Sequence, residues 1–396
     1  MELAPTAWHV FSAALIFLIG ALLSIKIARL FETSGKRAFV LYIWHTLFCF
    51  VYVAYVINSG GDALMYYQTS LSGDVEFSFG TAAIQFLTMI FSNVFGLSVL
   101  GASLGYNILG YVGLLAVDAS LQTATKHKEK LVRYLATFII FLPSVSFWSS
   151  AIGKDALSFL AAGLALWASQ KLGRRGWVMA VAITLMLFVR PHISAMMVMA
   201  VAVSMMVQPR VSIFQRAFVG IPALAVAILM VPFAMNYTGL GSDARVVDFV
   251  DYVDVRQSHN IEGGGGIDIS SMSLPVKLFT YLFRPLPFEA NSLPAFAASI
   301  DNVILLLLVV FSTWPMVKRW RSSAPANRIF LWVYSLSTWL VLALTTANLG
   351  ISVRQKWMFA PMLIFLFISV LGKSRLFPGI TKSNAEMIDD PRKIIR

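Results

Sequence analysis

The amino-acid sequence predicts an all-α, polytopic integral membrane protein with about eleven transmembrane helices and an outer-side layer of amphipathic helix and loop. Three observations predict it: a composition poor in charge, apolar runs that recur along the whole chain, and connections that alternate between basic and acidic. Of 396 residues, 58% are hydrophobic and 13% are charged. A soluble domain is about half apolar and about a quarter charged, so lipid must take the place of the missing polar surface. The one cysteine, Cys49, lies in an apolar run, which excludes an intramolecular disulfide and a cysteine-built metal cluster.

Crossing the hydrocarbon layer takes about 20 apolar residues in a helix. Candidate spans lie at 7–27, 38–57, 98–118, 132–150, 155–170, 177–189, 191–207, 217–237, 299–317, 328–348 and 357–372. The first run has no basic leader and is followed by Lys26 and Arg29, so no cleavable signal peptide is expected. The chain is expected to form one transmembrane domain over 1–396, with outer loops at 58–80 and 238–298 and a cytoplasmic tail at 373–396.

The net charge of +12 would suit a nucleic acid, but its distribution gives it another meaning. Six connections, at 26–37, 126–133, 171–175, 210–216, 318–328 and from 373 onward, hold 23 of the 31 Lys and Arg. Basic connections stay in the cytoplasm. The opposite side holds 13 of the 19 acids, among them Asp62, Asp74, Glu76, Asp243, Asp248, Asp251 and Asp254. Eleven spans join these loops with consistent parity, amino terminus outside and carboxyl terminus inside. The charge is a topology signal, and no nucleic-acid partner is expected.

Two stretches resist simple counting. The apolar stretch 81–97 is interrupted by Gln85, Ser92, Asn93 and Gly96, and reads as an interfacial or re-entrant helix on the outer side. The stretch 177–207 has basic connections at both ends and must cross an even number of times. Its first arm, 177–189, rises only about 20 Å against a hydrocarbon core of about 30 Å. Arg190 and Pro191, at its tip, are therefore expected below the outer surface, inside the protein. In the long outer loop, 263–266 is a glycine run, and 274–288 is amphipathic and suited to the membrane surface.

Ionisable residues at membrane depth are functional candidates, and nearly all of them fall on the outer side. Asp62 follows the Gly60–Gly61 turn that ends the second span, with Tyr66 and Tyr67 one helical turn later. There it is either a helix cap beside an aromatic belt or a general base toward a hydroxyl. The turn 143–155, PSVSFWSSAIGKD, combines serines, Gly153, Lys154 and a helix start. That combination favours an anion; alternatively Asp155 caps the helix and Lys154 snorkels to water.

Arg190 must be paired or face a polar cavity, and its planar fork suits a phosphate or pyrophosphate. His192 beside it is either a proton carrier or a structural residue. Arg284 and Glu289 flank a proline-stiffened segment, and either pair with each other or reach the site. Arg354 and Lys356 begin the last span, and either anchor it or hold a lipid phosphate. His45, in an aromatic helix, reads as a packed residue, while His9, His127 and His259 have no metal-ligand spacing. No Walker loop, HExxH or GxSxG is present.

Taken together, Gly61-Asp62 with Tyr66-Tyr67, the 143–155 turn, the 283–289 segment FRPLPFE and Arg354-x-Lys356 resemble bacterial envelope-polysaccharide membrane proteins. These are the Wzy-type O-antigen and exopolysaccharide polymerases, EpsG-like proteins and the broader GT-C-like glycosyltransferases. The resemblance implies an inner-membrane glycosyltransferase, or polymerase, that joins polyprenyl-pyrophosphate-linked oligosaccharide units at the periplasmic face with inversion. It makes Asp62 the candidate base and Arg190 and Arg284 further catalytic candidates. Tyr66, Tyr67, Lys154, Asp155, His192, Glu289, Arg354 and Lys356 become candidates for substrate binding. It implies a lipid-linked glycan and membrane lipid as partners, with other polysaccharide-assembly proteins beside them. No metal and no cofactor are expected: many GT-C enzymes pair two acids around a metal, and the first outer loop shows no Asp-Glu doublet.

Two rival readings remain open from sequence. A transporter or flippase of lipid-linked saccharides would need polar residues along a full crossing, whereas here they gather on one side. A membrane acyltransferase or a ligase would need a catalytic histidine or a different acceptor; for the acyltransferase, His192 is the candidate.

Overall fold

The computed structural model describes residues 2–207, 212–226, 228–229, 266–269, 271–318, 324 and 326–372. Among these residues the regular structure is helical, apart from an isolated antiparallel bridge between Gly266 and Asn348. Parts of the expected 217–237 span, residues 238–265 of the long outer loop with the first three glycines of its run, and the 373–396 tail lie outside the described residues.

The first two helices, α1 (Ala7–Ala28) and α2 (Gly35–Ser59), begin at serine or threonine caps. Thr6 Oγ1 accepts from His9 N at 3.3 Å and Ser34 Oγ from Arg37 N at 3.3 Å, which satisfies amide groups that a helix start leaves without intrahelical partners. After Gly60 and Gly61, the short α3 (Asp62–Ser70) fills much of the first outer loop. Next, α4 (Thr81–Met89) runs on through a π turn at Ile90–Val94. Helix α5 (Val99–Thr125) is the central post, and most of its residues are buried.

The expected 132–150 span is built from α6 (Lys130–Ile140) and α7 (Pro143–Ser149). The chain leaves helical geometry before Pro143, where the proline ring disfavours an α conformation in the preceding residue. Helices α8 (Lys154–Ser169), α9 (Leu172–Val189) and α10 (Pro191–Val207) follow. Arg175, with φ −112° and ψ 20°, kinks the start of α9. Further on come α11 (Leu274–Phe283), α12 (Leu293–Val317), α13 (Arg328–Thr345), α14 (Leu349–Gln355) and α15 (Ala360–Val370).

Among the described residues, seven helices are long and apolar enough to cross a membrane, and an eighth span results if the pair at Leu349–Met358 and Ala360–Val370, bent by 63°, is counted as one. That is fewer than eleven: α8 and α10 fall short, and the expected 217–237 span lies partly outside the described residues. Helix α8 has 16 residues and α10 has 17, both short of a full crossing, although each coincides with an expected span. Helix α1 is the most lipid-like: it turns Phe11, Leu18 and Leu22 outward, with little of its surface covered by protein.

Glycine sets the closest approach in the core. A Cβ at Gly163 of α8 would lie 2.4 Å from Gly113 O of α5, and one at Gly110 would lie 1.9 Å from Ser149 O of α7. Small residues let backbones meet in membranes, where helix association lacks a strong hydrophobic drive. Helix α15 packs against α5, α12 and α13, and all eleven of its residues are buried. A helix apolar all round belongs in such an interior position. On α11, Tyr281, Leu282 and Phe283 turn inward, while Leu274, Val276 and Phe279 stay exposed, so its outward face is apolar.

Candidate functional site

Four segments far apart in the chain meet where α3, α8 and α14 begin or end and where α9 breaks into α10. Each break has a local cause. Gly60 (φ +73°) and Gly61 (φ +138°) adopt conformations that side chains rarely take, with open space around them, and deliver Asp62 at the first turn of α3. Arg190 precedes Pro191, which pushes it out of the helical region to φ −145° and ψ 80°. Its amide still donates to Met186 O at 2.7 Å, closing α9, while its carbonyl accepts from Ile193 N and Ser194 N, starting α10. Asn348 caps α14 by accepting from Gly350 N and Ile351 N, and that short helix presents Arg354 near its end.

Charge links these ends into one chain of pairs. Arg190 Nη2 donates to Asp155 Oδ1 at 3.0 Å, and Arg354 Nε donates to Asp155 Oδ2 at 2.9 Å. Arg354 Nη2 also donates to Asp62 Oδ2 at 3.0 Å. Asp155 is thus a buried bridge between two arginines, which meets the requirement that buried charges be paired. The network opens toward solvent: the Asp155 side chain is 9% exposed and that of Asp62 is 48%. Lys154 is half-buried and within electrostatic range of Arg190, Asp155, Asp62 and Arg354. The Arg354 guanidinium also lies 5.4 Å from the centre of the Trp148 ring, within cation–π range. A narrow cavity beneath the pair is lined by Trp148, Ser149, Asp155, Arg354, Trp357 and neighbouring apolar side chains.

Hydrogen-bonding capacity is left over on the inner side. Arg190 Nε and the Tyr281 hydroxyl are buried without a hydrogen-bond partner among the described residues. Tyr281 lies within electrostatic range of Arg190 and Asp155.

The other expected site residues fall elsewhere. Lys356 is almost fully buried; its Nζ donates to Asn302 Oδ1, and Asn302 Nδ2 donates to Pro285 O at 2.9 Å. Beside it, Asp301 accepts from the hydroxyl and, at 3.0 Å, from the amide of Ser144. Lys356 therefore fastens α12, α14 and the Pro285 segment together, and does not face outward as an anchor would. Arg284 pairs with Glu289, Nε to Oε1 at 2.9 Å, and Glu289 Oε2 accepts from Leu286 N at 2.7 Å. Of the two options open from sequence, the structure takes the pairing within the loop. The Arg284 guanidinium holds the Glu289 carboxyl below the usual glutamate range.

Tyr66 and Tyr67 are buried rather than belted at a surface. The Tyr67 hydroxyl donates to Leu97 O at 2.8 Å. Burial, with Asp62 adding to it, pushes the Tyr66 hydroxyl up to about 12, so it stays a neutral donor. His192 is half-buried in the first turn of α10. Among the described residues no three His, Cys, Asp or Glu side chains are grouped to hold a metal ion.

Sequence reading missed two polar clusters. One is Asp301 with Asn302 and Ser144; a lone acid inside an apolar run was its available signal. The other is His45 of α2, whose Nδ1 lies 2.6 Å from Asn107 Oδ1 and whose Nε2 lies 3.0 Å from Ser149 Oγ. Single polar residues on three separate helices gave no spacing by which to find it.

No protein-family model matches the chain, and no curated protein and no solved structure matches it. The chemistry must be read from the geometry alone. A cationic cluster with a buried acid at its base and an exposed acid at its rim is suited to bind an anion and to accept a proton beside it.

Proposed function

We propose that this chain is a glycosyltransferase of the bacterial inner membrane that joins polyprenyl-pyrophosphate-linked oligosaccharide units of a surface polysaccharide. In this reading the amino terminus lies outside, the carboxyl terminus in the cytoplasm and the site at the periplasmic face. One observation carries the reading: Asp155 gathers Arg190 and Arg354 on a single buried carboxylate, with Asp62 at the exposed end of the same network.

The physical logic is electrostatic. Fixed donors aimed at a developing negative charge in a partly dry site stabilise it more than water does. Arg354, Arg190 and Lys154 hold the diphosphate of the donor. Asp62 accepts the proton of an acceptor hydroxyl, whose oxygen attacks the anomeric carbon from the opposite face. The bond from that carbon to the phosphate oxygen breaks, and its electron pair leaves with the diphosphate, where the guanidinium groups balance it. Arg284, engaged by Glu289, shapes the neighbouring loop, and Lys356 positions the helix that presents Arg354.

The test is direct. Full-length protein in lipid nanodiscs is incubated with a polyprenyl-pyrophosphate oligosaccharide, and product length is followed by gel and mass spectrometry. Longer saccharides with release of polyprenyl pyrophosphate are expected, with none formed by Asp62→Asn or Arg354→Gln. Transbilayer movement of the lipid without any change in saccharide length would replace this reading with transport.

A further inference from the structure

Within this anion-site reading, and resting on it, we infer that Asp62 is a built-in counter-ion that occupies the phosphate position on Arg354 and is displaced when the diphosphate arrives.

The two carboxylates on Arg354 are not equivalent. Asp155 is held from both sides, by Arg190 at 3.0 Å and by Arg354 at 2.9 Å, and is buried. It belongs to the scaffold. Among the described residues the Asp62 carboxylate accepts one hydrogen bond, from Arg354 Nη2, and nearly half its side chain meets solvent. The chain enters Asp62 through Gly60 and Gly61, around which there is nothing within 4 Å of a would-be Cβ. This entry leaves room for the carboxylate to swing away without repacking the core. Asp155 has no such freedom, since α8 is buried along almost its whole length.

Geometry and charge agree on what takes its place. Asp62 presents a carboxylate oxygen to a guanidinium NH at the distance and in the manner of a phosphate oxygen. While Asp62 stays, Lys154, Arg190 and Arg354 face two acids and one positive charge is left over. Once it leaves, one acid remains and two positive charges are uncompensated. A diphosphate esterified at both ends carries two negative charges, so it restores neutrality where a monovalent anion would not. The unpartnered Arg190 Nε and Tyr281 hydroxyl offer further donors at the inner end of the same cluster. Displacement also frees the Asp62 oxygen that Arg354 engages, so the carboxylate is released to meet an acceptor hydroxyl only when a donor is in place. The counter-ion thereby orders the two substrates, donor first.

Binding separates this role from catalysis, because no turnover is needed. Full-length wild type, Asp62→Asn, Asp62→Glu and Arg354→Gln in phosphatidylcholine nanodiscs are titrated calorimetrically with inorganic pyrophosphate and, separately, with farnesyl diphosphate. Removing the competitor in Asp62→Asn is expected to tighten both about fivefold, the worth of a partly exposed ion pair. Asp62→Glu, which restores the charge, returns affinity toward wild type, and Arg354→Gln loses it. Tighter binding of farnesyl diphosphate than of pyrophosphate assigns the site to a lipid-borne diphosphate; equal binding assigns it to the free anion. Unfolding midpoints of the four proteins, measured in parallel, show that each is folded. Pyrophosphate binding that is unchanged or weakened in Asp62→Asn overturns the counter-ion and leaves the anion site standing. Absence of binding in every variant overturns both.

Discussion

Arg354 and Asp155 are 199 residues apart in the chain, and their side chains meet at 2.9 Å. Their contact ties the first turn of α8 to the end of α14, and through Arg190 it also ties in the break between α9 and α10. Three elements are thus registered by one carboxylate, and its removal should be felt by all of them.

Asp155→Asn is expected to leave two guanidinium groups facing each other in a buried place. Breaking a buried pair by removing one partner typically destabilises by about 3–5 kcal/mol. Thermal unfolding in detergent would report the loss, and the Arg190→Gln, Asp155→Asn double variant should recover part of it. A single variant that melts like wild type would show that the bridge is not formed.

Arg354→Lys keeps the charge but not the fork. A point charge cannot serve Asp155 through one nitrogen and Asp62 through another in the same plane. Transfer activity in nanodiscs should fall by roughly 10²-fold, the scale of losing one fixed donor to a developing charge, while the fold survives. Activity within twofold of wild type would remove Arg354 from the chemistry.

Gly163→Ala tests the contact between α5 and α8. The added methyl would lie 2.4 Å from Gly113 O, a backbone atom with no room to retreat. Overpacking of this kind costs about 1–3 kcal/mol. Gly173→Ala, in open space, serves as the control and should be neutral. Equal unfolding midpoints for the two variants would refute the close approach.

The Arg284–Glu289 pair predicts a pH dependence confined to its loop. The folded carboxyl lies below its unfolded value. Its contribution is therefore complete above about pH 4.3 and fades as pH falls through the lower folded value. Both side chains are partly exposed, so the effect stays under about 1 kcal/mol. Hydrogen exchange across 284–289 should show wild type better protected than Glu289→Gln at neutral pH, and the two converging at pH 3. A difference that persists unchanged at pH 3 would contradict this.

Much of the architecture could be read from the chain because lipid imposes a simple demand. Runs without charge become helices, and the expected spans that fall on described residues are helical over most of their length, with a break before Pro143 in 132–150. The count was harder: α10 is apolar but only 17 residues long, and α8 has only 16 residues, begins with Lys154 and Asp155, and is surrounded by protein along most of its length. The arm before Arg190 is the 18-residue α9, long enough to cross, and not the short 177–189 arm expected. Within the site, Arg190 was still legible, because an arginine before proline between two apolar runs has to find a partner. Its partner was not. Asp155 looked like an ordinary first-turn acid, and only the approach of Arg354 from the far end of the chain makes it a bridge. Arg354 and Lys356 were indistinguishable as a pair of cations. Two positions apart on a tight helical turn they take different directions, one toward Asp62 and the other into the packed interior.

The burial of α15 has a consequence for assembly. This innermost strut is also the last of the described helices to be synthesised, so its slot among α5, α12 and α13 must be kept during synthesis by something other than its final occupant. The contacts that α5, α12 and α13 make with residues 360–370 form only after that segment has arrived. Completion of the bundle is then a late, single event, and a ribosome stalled before it would leave a membrane-inserted but unclosed intermediate exposed to quality-control proteases.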